Sequence, residues 1–128
     1  HHPTEIKATL SSIKSSYKDR RIIAIFQPHR YSRTELLLNY FKDAFEYADN
    51  LIITDIYAAG ENEIAGISGE TIFDIVKNGN NKTKYIKNID DIIPELDKMK
   101  KDGDIILTLG AGNISRISNE YAKKLLDS

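Results

Sequence analysis

Apolar positions along this chain alternate between helical stripes and short continuous runs. Ile6, Leu10, Ile13 and Tyr17 recur at helical spacing and predict a helix from Pro3 to about Tyr17. Pro3 suits its first turn, and Glu5 places negative charge where the helix dipole favours it. After the polar break Lys18-Asp19-Arg20, the run RIIAIF (Arg21 to Phe26) predicts a strand covered on both faces, as in a parallel sheet. Ser32 and Glu35 have the spacing of a capping box. The helix they predict carries an inward stripe of Leu36, Leu37, Tyr40, Phe41, Ala44 and Phe45. Leu51 to Ile56 is a second buried-strand candidate. The loop from Tyr57 to Gly69 follows, and at about 13 residues its length favours function over filler.

The alternation continues to the end. Thr71 to Val76 is a short helix with Ser68 as its cap, and Asn78 to Asn81 is a turn. Thr83 to Ile86 is a weaker strand suited to an edge. Asn88 and Asp91 have N-cap and N3 spacing before a helix face of Ile92, Ile93, Leu96 and Met99. Ile105 to Leu109 is the last strand. Gly110 to Asn113 turns the chain into a final helix, Ile114 to Leu126, with Ile114, Ile117, Tyr121 and Leu125 inward. This pattern predicts an α/β fold: a three-layer α/β/α, Rossmann-like domain with an open, mainly parallel sheet. Right-handed crossovers give the strand order 3-2-1-4. A further short strand within 57–69 is compatible with the pattern.

Composition narrows the function classes. The chain has 128 residues, enough for one ordinary domain, and 41% apolar content, enough for a core without staples. It has no cysteine, which removes disulfides, thiolate catalysis and cysteine-based zinc sites. A net charge of -1 argues against a mainly electrostatic nucleic-acid or membrane binder. No apolar run approaches the length of a membrane span, and the start lacks a signal-peptide pattern, so a cytoplasmic location is expected.

Candidate chemistry clusters in the loops that leave the carboxyl ends of the strands, where open α/β sheets bind ligands. The first loop carries Gln27, His29, Arg30 and Arg33, the second Tyr57, Glu61, Asn62 and Glu63, and the third Gly110, Gly112 and Asn113. Arg30 and Arg33 straddle the start of a helix, so both can reach one carboxylate or phosphate. The alternative is a surface salt bridge with Glu35 or Asp55. His29 is suited to donate to a phosphate, to act as a base, or to cap its loop. Gly110 to Asn113 lacks the third glycine of a dinucleotide fingerprint, and there is no P-loop lysine motif. Metal binding by the three histidines finds no supporting carboxylate spacing.

FQPHRYSRT (Phe26 to Thr34) resembles the hallmark segment of the Mur ligases of peptidoglycan synthesis, in the branch that joins L-alanine to UDP-N-acetylmuramate. HHPTE (His1 to Glu5), YAAGE (Tyr57 to Glu61) and GAGN (Gly110 to Asn113) match in the same order, and the likeness spans the chain. The resemblance implies that residues 1–128 are a Mur ligase C-terminal domain, without the N-terminal UDP-binding and central ATPase domains. It makes the opening histidines native. It also implies ATP and Mg2+ as cofactors of the full-length enzyme, docking of this domain on the central one, and an inactive isolated fragment. By the same resemblance His29, Arg30 and Arg33 are catalytic, and His1, Arg30, Arg33, Tyr57 and Glu61 bind substrate. The competing readings are a stand-alone anion- or nucleotide-binding module and a receiver domain. Gln27, His29 and Arg30 occupy the place where a receiver needs acidic residues.

Overall fold

The isoleucine-rich run forms β1, Ile22–Phe26, and every one of its five residues is buried. In the computed structural model, residues 2–79 and 82–127 are described. His1 therefore lies outside them, as does the second half of the expected turn at Asn78 to Asn81. Helix α1 is Pro3–Ser16, with His2 as its N-cap. Helix α2 is Tyr31–Leu37, followed by a 3-10 turn at Leu38–Tyr40. The remaining elements are β2 (Asn50–Ile53), α3 (Gly69–Val76), β3 (Lys82–Tyr85), a 3-10 turn at Ile89–Asp91, α4 (Ile92–Met99), β4 (Ile105–Leu109) and α5 (Ser115–Leu126).

The sheet is parallel throughout, in the order β3-β2-β1-β4. This is the expected order, and it is compatible with right-handed crossovers. The register aligns Phe26 with Ile53 on one side and Leu109 on the other. The polar loops therefore start level with one another at the carboxyl edge.

Side chains along β1 alternate between two cores, as strand geometry requires. Ile22, Ala24 and Phe26 join α1, α3 and the 41–48 segment, through Ile6, Leu10, Phe41, Phe45 and Ile72. Ile23 and Ile25 join α4 and α5, through Ile92, Leu96, Ile117 and Tyr121. Helices thus cover both faces, giving the three layers. Strand β4 is an edge strand, and all five of its residues are half-buried. Strand β3 forms the other edge and is the least buried of the four.

Three local expectations change. The helix after β1 does not continue to Phe45. It tightens into the 3-10 turn, and turns closed by Ala44 N–H to Phe41 C=O and Ala48 N–H to Phe45 C=O follow. Three residues per turn shift the phase of the stripe. Phe41 and Phe45 then reach Phe26, with ring centroids 5.4 and 5.2 Å away, while Tyr40 turns outward, 70% exposed; Leu36, still within α2, is also exposed. The Ser32–Glu35 box is replaced as well: Arg30 is the N-cap, and Ser32 bonds elsewhere. Tyr17 and Leu125, placed inward by spacing, are about half exposed at helix ends. Within 57–69, the extra pairing among the described residues is a single parallel bridge, His29 to Tyr57.

Candidate functional site

Beyond Phe26 the chain leaves the sheet but keeps pairing. Tyr57 N–H donates to Pro28 C=O at 2.9 Å, and Arg30 N–H donates to Tyr57 C=O at 2.8 Å. The first and second loops therefore extend the β1–β2 ladder past the sheet. The His29 and Tyr57 rings stack across this extension, with centroids 5.8 Å apart and planes 15° apart.

The third loop closes from the β4 side. Gln27 N–H donates to Leu109 C=O at 3.0 Å, and Gln27 Nε2 donates to Asn113 Oδ1 at 2.7 Å. Gly112 lies against both partners: a Cβ there would stand 2.5 Å from Tyr57 Cγ and 2.6 Å from Gln27 Oε1. All three polar loops thus meet around Gln27 and Tyr57. Gln27 is 5% exposed, and its Oε1 is buried without a hydrogen-bond partner.

Arg30 turns the chain into α2 with φ 64° and ψ 142°, a region that side chains with a Cβ rarely adopt. Its carbonyl accepts from Thr34 N–H at 3.1 Å and from Thr34 Oγ1 at 2.7 Å. Arg33 follows one turn on. Both residues line a cleft of about 390 Å³ with His2, Ser32, Leu36 and Leu37. The Nε of each arginine is buried and has no hydrogen-bond partner. Among the described residues neither arginine forms an ion pair. The alternative of a salt bridge to Glu35 or Asp55 is therefore not what forms. Two guanidiniums with unused donors in one cleft suit a carboxylate or phosphate guest.

Glu61 stands against the same helix start. Its Oε1 accepts from Ser32 N–H at 3.1 Å and its Oε2 from Ser32 Oγ at 2.5 Å. The Ser32 hydroxyl, the Ser32 and Tyr31 N–H groups and the Arg30 charge hold its carboxyl below the usual range. Glu61 is thus engaged with the loop that carries the arginines.

The expected union of the first and third loops forms only in part. They touch through Gln27 and Asn113, but the arginine cleft opens elsewhere. Asn113 instead lines a groove of about 430 Å³ with Gln27, Asp55, Tyr57 and Lys87. His2, which sequence reasoning passed over in favour of His1, lines the arginine cleft. Its Nδ1 accepts from Thr4 N–H at 3.2 Å, so the neutral ring carries its proton on Nε2. The signal for His2 was available, because an N-cap directly before Pro3 has to sit at the start of α1. Among the described residues, no three histidine, aspartate or glutamate side chains converge as a metal site.

Comparison with known proteins places this geometry. Residues 1–112 match the family described as Mur ligase, glutamate ligase domain. The chain is 72% identical over 125 residues to UDP-N-acetylmuramate–L-alanine ligase of Brachyspira hyodysenteriae, covering 98% of this chain and 27% of that protein. It is 46% identical to the enzyme of the same name from a Sulfurihydrogenibium species, covering 98% of this chain and 28% of that protein. Among solved structures it superimposes on UDP-N-acetylmuramate–alanine ligase of Thermotoga maritima with a TM-score of 0.73 and 25% identity, over 99% of this chain and 25% of that one. The murein peptide ligase of Psychrobacter arcticus shares the fold, with a TM-score of 0.71 at 22% identity, over 96% of this chain and 25% of that one. The chain therefore spans about a quarter of the length of these relatives. Its parallel sheet, its arginine loop and a family match over most of its residues lead to one assignment: the chain belongs to the Mur ligases and corresponds to their C-terminal domain.

Proposed function

We propose that this chain is the C-terminal lobe of an ATP-dependent ligase that joins L-alanine to UDP-N-acetylmuramate. One observation carries the reading: two arginines with buried, unused Nε donors line one cleft at the carboxyl edge, in a chain 72% identical to a ligase of that name. Amide formation of this kind proceeds from an acyl phosphate. The alanine nitrogen attacks the acyl carbon, the tetrahedral intermediate collapses, the C–O bond to phosphate breaks, and phosphate leaves as the nitrogen loses its proton.

In this reading the chain supplies position and charge, and forms no covalent intermediate. Arg30 and Arg33 grip the alanine carboxylate or the departing phosphate by forked hydrogen bonds. His29, ordered by its stack on Tyr57, steadies the transferred phosphoryl group. His1 is assigned to amino-acid binding by the family resemblance alone. Tyr57 and Glu61 shape the substrate site from the second loop.

ATP and Mg2+ belong to the rest of the ligase in this proposal, together with an N-terminal UDP-binding domain and a central ATPase domain on which this lobe closes. The absence of a P-loop lysine motif from the sequence, and of a metal-ligand cluster among the described residues, supports placing both cofactors on those other domains. No described helix is long and apolar enough to cross a membrane, and the reading places the enzyme in the cytoplasm.

The test is alanine-dependent phosphate release by the ligase that contains this chain. Arg30→Ala should lower kcat/KM for L-alanine by about a hundredfold or more while the fold survives, because the bound anion loses a charge-assisted partner. Near-normal efficiency in that variant would refute the assignment. Tight anion binding by the chain alone, with no ligase activity in the longer protein, would favour the stand-alone module.

A further inference from the structure

We propose that Glu61 is a positioning residue whose carboxylate, seated on the first turn of α2, holds the Arg30 loop in the one conformation that lets both arginines line the cleft. The kinetic consequence rests on the ligase reading, whereas the structural claim stands on the geometry alone.

The argument begins with strain. Among the described residues only Arg30 (φ 64°) and Ala59 (φ 51°) combine a side chain with a positive φ. Such residues persist only where their surroundings over-determine them. The two belong to one unit. Arg30 N–H bonds Tyr57 C=O, and the His29–Tyr57 bridge joins the segments. The second segment then reverses in the turn from Ala58 to Glu61, closed by Glu61 N–H to Ala58 C=O at 3.0 Å. Positive φ at both Ala59 and Gly60 is the pattern of a type I′ turn. That turn brings Glu61 back onto α2, where Ser32 N–H and Oγ donate to it at 3.1 and 2.5 Å. The strained arginine is therefore clamped on both sides, by a ladder bond at its own N–H and by the carboxylate two residues on.

Charge leads to the same residue. Two guanidiniums beside a helix N-terminus meet an unfavourable dipole. Neither has an ion-pair partner within 4.0 Å among the described residues. Glu61 is the acidic side chain bonded to that helix start, and it supplies the compensating charge without occupying the buried Nε donors. The donors thus stay available to a guest while the loop stays fixed.

Amide exchange on this chain and alanine kinetics on the ligase containing it test the proposal together. Glu61→Ala should raise exchange at the Ser32 amide about tenfold or more, while the Ile25 amide in β1 keeps its rate. In the ligase, the same variant should raise the KM for L-alanine about tenfold, with kcat falling less than about threefold. Glu61→Gln retains an oxygen acceptor for Ser32 but loses the charge, and should fall between Glu61→Ala and the wild type. Ile117→Val, a trimmed contact in the distant core under α5, is the control: at comparable loss of Tm its alanine KM stays at the wild-type value. Unchanged Ser32 exchange, or an alanine KM within about twofold of wild type in Glu61→Ala, would overturn the proposal. A wild-type ligase without alanine-dependent phosphate release would overturn the ligase reading instead, and the exchange result would still decide whether Glu61 holds the loop.

Discussion

Asp104 has a side chain only 5% exposed and remains charged, because its surroundings are arranged for the carboxylate. Burial works to raise its pKa. The Arg21 guanidinium and the Lys101 N–H outweigh that and hold it below the ordinary value. Arg21 Nη2 reaches Asp104 Oδ2 at 2.6 Å and Met99 C=O at 2.7 Å, so the pair ties the start of β1 to the end of α4. A depressed folded pKa means that the unfolded chain takes up protons first as the pH falls. The stabilisation is therefore complete above the unfolded value of about 3.9 and is lost as the pH drops through the lower folded one. Asp104→Asn should cost about 2–3 kcal/mol at neutral pH, because the guanidinium loses its charged partner. Urea midpoints at neutral and acidic pH should also converge more in the variant than in the wild type. Some acid sensitivity should remain, because Glu61, Glu95 and Asp97 are held low as well. An acid limb identical to wild type would show that Asp104 does not carry this effect. Gly112 makes a second prediction at this scale. Its missing Cβ leaves room for Tyr57, so Gly112→Ala should displace the ring that stacks on His29. On the proposed reading, ligase activity should fall while Tm changes by only a few degrees, and crystallography or His29 ring shifts would show the displacement.

Helix α3 shows how one residue can decide where an element sits. Gly69 is buried, and a Cβ on it would run into Thr54 C=O and come within 3.0 Å of Asp55 Cα. Both are backbone at the end of β2 and cannot swing away. Gly69 N–H also donates to Asp55 Oδ1 at 3.0 Å, fixing the start of the helix on the strand it follows. Gly69→Ala should therefore destabilise the fold by about 2 kcal/mol, the usual range for forced overpacking, and equilibrium denaturation would measure it. This seat was hidden in the sequence, where Gly69 reads only as one of several loop glycines. The helix itself was legible, since Ser68 and the apolar pair Ile72 and Val76 mark its start and its inner face. Helix α2 is the opposite case. Its stripe reads as one long helix because Leu36, Tyr40, Phe41 and Phe45 all fit a 3.6-residue period. The ring cluster on Phe26 instead favours a 3-10 step after Leu37, a tertiary preference that local periodicity does not contain. The Ser32–Glu35 box fails for a similar reason: a carboxylate from a distant loop, Glu61, takes the Ser32 N–H first.

At the scale of the whole molecule, alternation carried most of the information. Continuous apolar strands with helices between them imply a two-faced parallel sheet, and handedness narrows the strand order without fixing it. That order aligns the ends of β1, β2 and β4, so the position of the polar loops was legible too. How the loops divide was not. Arg30 and Arg33 share a cleft with His2 from the first helix, whereas Asn113 turns toward Gln27 and Lys87. The first depends on the positive φ at Arg30 and the second on the Gln27–Asn113 bond, and no spacing rule announces either. The resulting cleft is lined by the exposed Leu36 and by two guanidiniums. A single solvent-accessible ion pair contributes at most about 1 kcal/mol, and so small a ligand as alanine has little apolar surface to add. Isothermal titration of this chain with L-alanine should therefore show no saturable binding tighter than about 1 mM. On the proposed ligase reading, affinity should appear only when the rest of the protein closes over the cleft and removes water from the same arginines, because charge-assisted bonds strengthen as the local dielectric falls. Stoichiometric micromolar binding by the isolated chain would mean that the amino-acid site is complete within it, and the proposal that the lobe must close on the central domain to bind alanine would then have to be abandoned.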